Sequence, residues 1–150
     1  MNKSDQYNII KVFFEAERYH LNTYGRPITG DNYVAMRYGT VPVGIYDIIK
    51  QNDINKDFPF TKVDKNILSV SRPANLSMLS KSDLEALDFG IKEYDNLDFS
   101  EVETKNHNEE CWKKARKNRE SNSPPIPFED MINDEELKEE LKKISKLMVI

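Results

Sequence analysis

The sequence predicts a mainly helical, compact single domain of several helices, with one small β-hairpin around residues 60–70. Three observations indicate this fold class. Apolar residues recur at helical spacing in several separate segments. The Tyr-Gly steps at Tyr24-Gly25 and Tyr38-Gly39 are each soon followed by a proline, which is typical of helix ends. The stretch 60–70 holds two β-prone runs around a polar turn, which favours a hairpin.

The bulk composition is that of an ordinary soluble protein. The chain has 150 residues, 38% hydrophobic and 32% charged, with a net charge of −4. An acidic balance gives no overall attraction to nucleic acid, and no apolar run approaches the ~20 residues that span a bilayer. The N-terminus lacks signal-peptide features, and the single cysteine, Cys111, cannot form an internal disulfide. We therefore expect a cytoplasmic protein without nucleic-acid or membrane partners.

The first predicted helix begins at an N-cap on Ser4 and ends at Gly25, which suits a left-handed C-cap. We expect its charged residues Glu15, Glu17 and His20 on a solvated face. Its apolar residues near helical spacing, with the Phe13-Phe14 pair assigned to the core, are Ile9, Ile10, Phe13, Phe14, Ala16 and Leu21.

Two short helices are predicted next. Asp31 can cap a second helix, which runs through Met36 and Arg37 and stops at Gly39. Pro42 can then open a third helix, since proline is favoured at a first helical position. Residues expected to point inward from this third helix are Val43, Tyr46 and Ile49, with Ile45 left open.

Beyond the 60–70 hairpin the sequence predicts further helices. Capping-box spacings start two of them, at Ser82 with Glu85 and at Ser100 with Glu103. An apolar stripe on the first is formed by Leu84, Leu87, Ile91 and Tyr94. The second segment is one helix or two, with a break near 106–108. A proline-rich connector precedes a final amphipathic helix over about 134–148, which packs on the core or serves a partner.

Catalytic and metal-binding patterns are weak. His107 and Cys111 are spaced i,i+4, but no second Cys or His pair completes a tetrahedral zinc site. Glu109 and Glu110 would raise the pKa of a Cys111 thiol, which argues against a reactive thiolate. Glycine-rich phosphate loops are missing from the sequence. We therefore expect no enzyme, no metal and no cofactor.

One basic cluster, residues 112–119, holds five cationic side chains around Trp112. A solvated helix face is the usual role of such a run. A DNA-binding autoregulator built on this cluster stays open as an alternative of a different class, although the acidic remainder of the chain would oppose phosphate contact.

A motif between residues 20 and 46 is carried by Tyr24, Gly25, Pro27, Ile28, Gly30, Tyr33, Ala35, Gly39, Val41, Pro42 and Tyr46. This motif resembles the Panacea family of SocA-like antitoxins, also met as phage-associated proteins. A second, weaker match covers Leu79-Ser80, Asp83 and Tyr94, and then His107 and Trp112. The chain departs from the family pattern at Thr40, where proline is common, and at Lys105-Asn106, where a hydroxyl residue is usual before His107.

The resemblance implies a helical protein-binding domain over residues 1–130, followed by a C-terminal amphipathic helix at 131–150 that packs on the same domain. It implies an antitoxin that neutralises a cognate protein toxin, encoded by an adjacent gene, through direct binding. Two alternatives among binding proteins are an adaptor that delivers a toxin to a AAA+ protease and a phage-encoded host-interaction protein.

Interfaces usually depend on a few aromatic and arginine side chains. The candidates for partner contact near the opening loops are Arg26, Arg37, Tyr38 and Tyr46. We expect a mainly structural role for the family-motif residues Tyr24, Gly25, Pro27, Gly30, Gly39, Val41, Pro42, His107 and Trp112.

Overall fold

The computed structural model describes residues 3–51, 58–117 and 121–147. Within these ranges the chain forms six α-helices and two small antiparallel sheets of three strands each, so the mainly helical prediction is confirmed. The helices are α1 Gln6–Tyr24, α2 Val43–Lys50, α3 Lys81–Tyr94, α4 Phe99–His107, α5 Glu110–Lys117 and α6 Glu135–Leu147. The strands are β1 Lys3–Asp5, β2 Tyr33–Met36, β3 Gly39–Pro42, β4 Phe60–Asp64, β5 Ile67–Val70 and β6 Pro125–Ile126.

Helix α1 is the central element of the fold. Its N-cap is Asp5 rather than the predicted Ser4, because the Asp5 carboxylate accepts a bond from the backbone N–H of Tyr7 at 2.7 Å. Its predicted end is confirmed, since Gly25 adopts a left-handed conformation with φ 73°. Helix α3 packs closely on α1 at Gly90, where a Cβ atom would lie 2.4 Å from the carbonyl oxygen of Val12.

The predicted second helix is wrong, because residues 33–42 form the hairpin β2–β3. The strands pair antiparallel, from Tyr33 opposite Pro42 to Met36 opposite Gly39, with a two-residue turn between them. β6 pairs with the other side of β2, which gives the sheet order β3-β2-β6. The side chains of β2 alternate between buried and half-buried positions, the period of a strand rather than of a helix.

Asp31 does cap a helix, but it caps α2. Its carboxylate accepts the backbone N–H groups of Gly44 at 2.9 Å and of Ile45 at 3.0 Å. The predicted third helix is thus confirmed as α2, with Pro42 as its N-cap residue rather than its first helical residue. Ile49 is buried as expected, whereas Val43 is exposed, which corrects its predicted inward position.

The second sheet confirms the predicted hairpin and extends it. β4 and β5 pair antiparallel, and β1 adds to the other side of β5, in the order β1-β5-β4. Because β1 leads directly into α1, this sheet is joined to the N-terminal end of the central helix.

Both predicted capping boxes are displaced by two residues. Helix α3 is capped by Ser80 with Asp83, and α4 by Asp98 with Glu101. The apolar stripe predicted for α3 is only partly correct. Tyr94 is buried, but Ile91 is 48% exposed. The close approach to α1 is at Gly90, and Ala86 is also buried. The break between α4 and α5 lies at 108–109, as one of the two predicted alternatives required.

Two hydrophobic clusters lie on different parts of α1. The first gathers Phe14 and Leu21 with β2, β6 and the 3₁₀ turn Phe128–Met131, and Leu137 and Leu141 of α6 pack against it. Ile144 of the same helix is 50% exposed, and Met148 lies outside the described residues. The second cluster joins the N-terminal part of α1 to α2 and to the β4–β5 hairpin through Ile10, Val41, Ile49 and Leu68. None of the helices in the described ranges is both long and apolar enough to traverse a bilayer.

Candidate partner-binding site at the β2–β3 turn

The turn between β2 and β3 carries two of the predicted partner-contact residues at its tip. Arg37 and Tyr38 are the two residues between paired Met36 and Gly39. Both side chains are exposed, and the Arg37 guanidinium lies 5.3 Å from the centre of the Tyr38 ring. An adjacent arginine and tyrosine on an exposed turn have the composition that interface hot spots favour.

Three backbone carbonyls leading into this turn are held by side chains of α4 and α5. Arg116 donates to the carbonyl of Ala35 at 3.2 Å, and the Trp112 indole N–H donates to that of Met36 at 2.9 Å. His107 Nε2 donates to the carbonyl of Arg37 at 3.0 Å, and its ring stacks on Trp112 with centroids 4.0 Å apart. The predicted structural residues His107 and Trp112 therefore position this turn.

Helix α1 holds two further carbonyls. The Tyr7 hydroxyl donates to the carbonyl of Tyr38, and Lys11 Nζ donates to that of Thr40 at 2.6 Å. Phe99 of α4 stacks on the Tyr7 ring at 4.6 Å and contacts the Tyr38 ring edge-on at 5.8 Å. Side chains from three helices thus fix the turn backbone, and a preordered surface loses less conformational entropy when a partner binds.

Asn106 completes the attachment on the returning strand. Its side chain accepts the backbone N–H of Thr40 at 2.7 Å and donates to the Thr40 hydroxyl at 3.1 Å. Gly39 has φ 128°, and a Cβ atom there would lie 2.2 Å from Asn106 Oδ1. Gly39 is therefore required by a close approach of the turn to α4, not by the helix end that the sequence suggested.

A cavity of about 370 Å³ opens beside the turn. Tyr46, the third predicted contact residue, lines it together with Arg37 and Tyr38. Tyr46 is only half-buried and also packs against the second hydrophobic cluster, so it serves both the core and the cavity wall. The other lining residues are Asp5, Gln6, Tyr7, Ile10, Lys11, Met36, Val41, Asn66 and Phe99.

Lys11 is an unusual member of that lining, because its side chain is 1% exposed. Its ammonium bonds Thr40 and lies 4.8 Å from the centre of the Tyr7 ring. Burial lowers the pKa of Lys11 to about 7. In the described parts of the chain, no carboxylate pairs with Lys11 or with Arg37.

Tyr7, Lys11 and Phe99 were not predicted for this site from the sequence. One pattern does point to Lys11. It stands inside the apolar run from Ile9 to Phe14, where a solvated lysine would interrupt the buried face of the helix. The partners that satisfy it lie far along the chain, so the run alone could not name them.

Arg26 lies at the opposite end of α1 from the other three candidates. Tyr7 and Tyr24 are separated by 17 residues of this helix, or about 25 Å. Arg26 is exposed and donates to Ser82 Oγ at 3.1 Å. The structure therefore brings Arg37, Tyr38 and Tyr46 together and places Arg26 elsewhere.

The expected solvated face of α1 is wrong at all three positions. Glu15, Glu17 and His20 are 1%, 0% and 0% exposed. Glu17 accepts the backbone N–H of Ile28 and the Thr29 hydroxyl, which fixes the bend after α1. His20 Nδ1 donates to the carbonyl of Arg26 at 2.7 Å, and its Nε2 lies 3.0 Å from Ser82 Oγ.

His107 and Cys111 do not form a common site. His107 is committed to the turn, whereas the Cys111 thiol is buried in the first hydrophobic cluster. Burial, and then the charge of Glu109, raise the pKa of Cys111 to about 12. A thiol of this pKa is a poor nucleophile near neutral pH. Among the described residues, no three His, Cys, Asp or Glu side chains are grouped to hold a metal ion.

Several members of the basic cluster are engaged within the molecule. Lys114 pairs with Asp130 at 2.9 Å, and Arg116 donates to two carbonyl groups, those of Ala35 and Asn122. Trp112 lies against the turn, and residues 118–119 lie outside the described ranges. These contacts indicate a structural role for the described part of the basic cluster.

The fold is a mainly helical domain whose motif residues build and hold an exposed turn. The chain belongs to the antitoxin SocA-like, Panacea domain family, whose model matches residues 9–113. The match spans most of the site, from Lys11 to Trp112, whereas Tyr7 and Arg116 lie outside the matched residues. It confirms the resemblance seen in the sequence. The chain matches no curated protein and no solved structure.

Proposed function

We propose that this chain is a non-enzymatic antitoxin that neutralises a cognate protein toxin by direct binding, with the β2–β3 turn at the centre of the interface. Family membership supports the toxin–antitoxin role. The anchored turn is the observation that supports this location of the interface. Five of its backbone carbonyls accept hydrogen bonds from helix side chains, while the Arg37 and Tyr38 side chains remain exposed.

Direct binding also suits the chemistry of the remaining candidates. The Cys111 thiol is buried and its pKa is raised, and His107 is occupied by a backbone carbonyl, so neither is available for a reaction on a substrate. Arginine and tyrosine, in contrast, supply affinity without any reaction. The expected partner is the product of an adjacent gene.

Co-expression tests the role itself. The neighbouring gene is induced in a host cell with and without this chain, and growth is measured. We expect growth arrest by the neighbour alone and rescue by this chain. A neighbour that is harmless, or that stays toxic in the presence of the chain, would rule out the antitoxin role.

Paired variants test the location. Tyr38 and Tyr24 are almost equally exposed, at 47% and 46%, but lie at opposite ends of α1. Rescue should be lost in Arg37→Ala/Tyr38→Ala and kept in Tyr24→Ala/Arg26→Ala, with both proteins showing the circular dichroism of the parent. The reverse pattern would move the interface to the Arg26 end.

A further inference from the structure

The cavity beside the β2–β3 turn combines aromatic walls with a buried cation. Tyr7, Tyr38, Tyr46 and Phe99 supply the rings, and Lys11 is the charged group in the lining that is shielded from solvent. Its volume of about 370 Å³ is large enough for one side chain with part of its backbone.

The polar atoms of this pocket are not fully satisfied by the protein. An ammonium group has three N–H donors, and the hydrogen bond found for Lys11 in the described residues is the one to Thr40. Gln6 also lines the cavity, and its Oε1 atom is buried without a hydrogen-bond donor from the residues that the structure describes. Buried polar groups normally have partners, so each of these atoms needs an explanation.

The charges around the pocket favour an anion. Lys11 and Arg37 have no carboxylate partner within the described chain, and Asp5 is already engaged as the N-cap of α1. Glu103 lies close enough to Tyr7 to raise its pKa, after burial as the larger cause, but it does not line the cavity. The titratable or charged groups facing the site are Asp5, Tyr7, Lys11, Arg37, Tyr38, Tyr46 and, from α4, Glu103.

We propose that this pocket receives an aspartate or glutamate side chain of the toxin, with the Lys11 ammonium as its counter-ion and Arg37 at the rim. The inference rests on the proposed antitoxin function and specifies the chemistry of its interface. The carboxylate accepts the free N–H donors of Lys11, and a backbone N–H of the same toxin segment satisfies Gln6 Oε1. The bound toxin segment covers the exposed Tyr38 and Phe99 rings and excludes water from the cavity, which strengthens the ion pair.

A distinct proton linkage follows. In the free protein burial lowers the pKa of Lys11 to about 7, so the amine is largely neutral at pH 8. A bound carboxylate favours the ammonium and raises that pKa, so binding takes up a proton above pH 7. Affinity should then fall as pH rises from 7.5 to 8.5, by a factor that approaches 10, and should be nearly constant below pH 6.5.

Calorimetric titration of the full chain with the purified toxin tests this linkage. The parent, Lys11→Met and a control, Lys113→Met on exposed α5, are compared at pH 7.5 and 8.5 in buffers of different ionisation enthalpy. We expect proton uptake and the pH dependence in the parent and the control. Lys11→Met should bind about tenfold or more weakly, with neither effect, while its thermal unfolding shows an intact fold.

The outcomes separate the two proposals. If the parent does not bind the toxin at all, the proposed function fails and this inference fails with it. If the parent binds and Lys11→Met binds equally well without loss of proton uptake, only the Lys11 pocket is refuted. A direct readout is the pH titration of the Lys11 side-chain NMR signals. Their midpoint should rise by more than one pH unit in the complex, and an unchanged midpoint would overturn the inference.

Discussion

Asn106 and Thr40, 66 residues apart, exchange two hydrogen bonds. Asn106 Oδ1 accepts the Thr40 backbone N–H at 2.7 Å, and its Nδ2 donates to the Thr40 hydroxyl at 3.1 Å. Both residues are fully buried. They stand at the two places where the sequence departs from the common family pattern. A proline at position 40 would have no N–H to donate, so the Asn106 contact depends on the departure at Thr40.

Asn106→Ala should destabilise the fold by about 2–4 kcal/mol, because it leaves the buried Thr40 N–H unpaired and creates a small cavity. Urea unfolding measures the change. Asn108→Ala is the matched control, because Asn108 lies two residues further along, at the C-cap of α4, and is exposed. It should change the free energy of unfolding by less than about 0.5 kcal/mol. Equal losses in the two variants would contradict the importance of the Asn106 contact.

Gly39→Ala should cost more than Gly30→Ala. Both glycines have positive φ, 128° and 69°, but a Cβ at Gly30 meets nothing within 4 Å. We expect about 1–2 kcal/mol from backbone strain at Gly30 and at least about 1 kcal/mol more at Gly39 from the clash with Asn106.

A double-mutant cycle tests whether the clash with Asn106 causes the larger cost of Gly39→Ala. In an Asn106→Ala background, the additional penalty of Gly39→Ala should shrink, because the nearest atom that its Cβ would meet has been removed, while the contact with Lys11 Cε at 2.9 Å remains. If the changes in the free energy of unfolding of the two single variants simply add in the double variant, the close approach to Asn106 is not what excludes a side chain at position 39.

The free energy of unfolding should fall as pH rises from about 4.5 to about 7, because the Glu109 carboxyl group ionises with difficulty in the folded protein. Burial, and then the neighbouring Glu15 carboxyl, raise the pKa of Glu109 to about 7. In this window the folded state holds a proton that the unfolded state releases, so higher pH favours unfolding. Glu109→Gln should therefore be more stable than the parent at pH 8, and the difference should disappear near pH 4.5.

Thermal unfolding of the two proteins across that range makes the measurement, with Glu110→Gln as a control on a neighbouring exposed residue. A Glu109→Gln advantage that stays constant from pH 4.5 to 8 would show that Glu109 does not titrate as described.

Cys111 should resist alkylation in the folded protein. Its thiol is 4% exposed, and burial raises its pKa to about 12. Iodoacetamide at pH 8 should modify it slowly in native buffer and at least about a hundredfold faster in 6 M urea, because the thiolate is the reactive form. Mass spectrometry follows the reaction. Rescue by Cys111→Ser equal to that of the parent would further exclude thiol chemistry, and lost rescue with an intact fold would support it.

Local sequence rules predicted the helices better than they predicted the ends and partners of those helices. The boxes Ser82 with Glu85 and Ser100 with Glu103 have correct spacing, yet the chain uses Ser80 and Asp98 instead. Suitable polar residues occur two positions apart in both segments, so spacing alone does not select one.

The failure at β2–β3 has a different physical cause. The sequence predicts that Asp31 caps a helix directly after it. Its carboxylate instead caps α2, where it accepts the backbone N–H of Gly44, 13 residues further along the chain. Once that cap is used elsewhere, the short run from Tyr33 to Met36 is free to pair with β3 and β6. A contact over this distance cannot be seen in a local window.

The buried polar side chains of α1 were equally beyond local reasoning. Glu17 and His20 look solvent-exposed in sequence, because charge and polarity normally indicate the surface. They are buried because Thr29, Ser82 and nearby backbone groups satisfy them after folding. Arg37, Tyr38 and Tyr46 could be selected by residue type, whereas their anchoring by Tyr7, Lys11 and α4–α5 required the tertiary structure.

At the β2–β3 turn, the side chains that hold the backbone differ from the side chains that are exposed, and this difference concerns how such a protein could change its partner. The groups that hold the carbonyl oxygens of the turn come from α1, α4 and α5, and the Arg37 and Tyr38 side chains donate none of those hydrogen bonds. Substitutions at these two positions can therefore accumulate without altering the path of the backbone. In the proposed interface, the backbone of the turn and its two exposed side chains are therefore specified separately, so substitutions at Arg37 and Tyr38 would change the toxin that is recognised without loss of the fold.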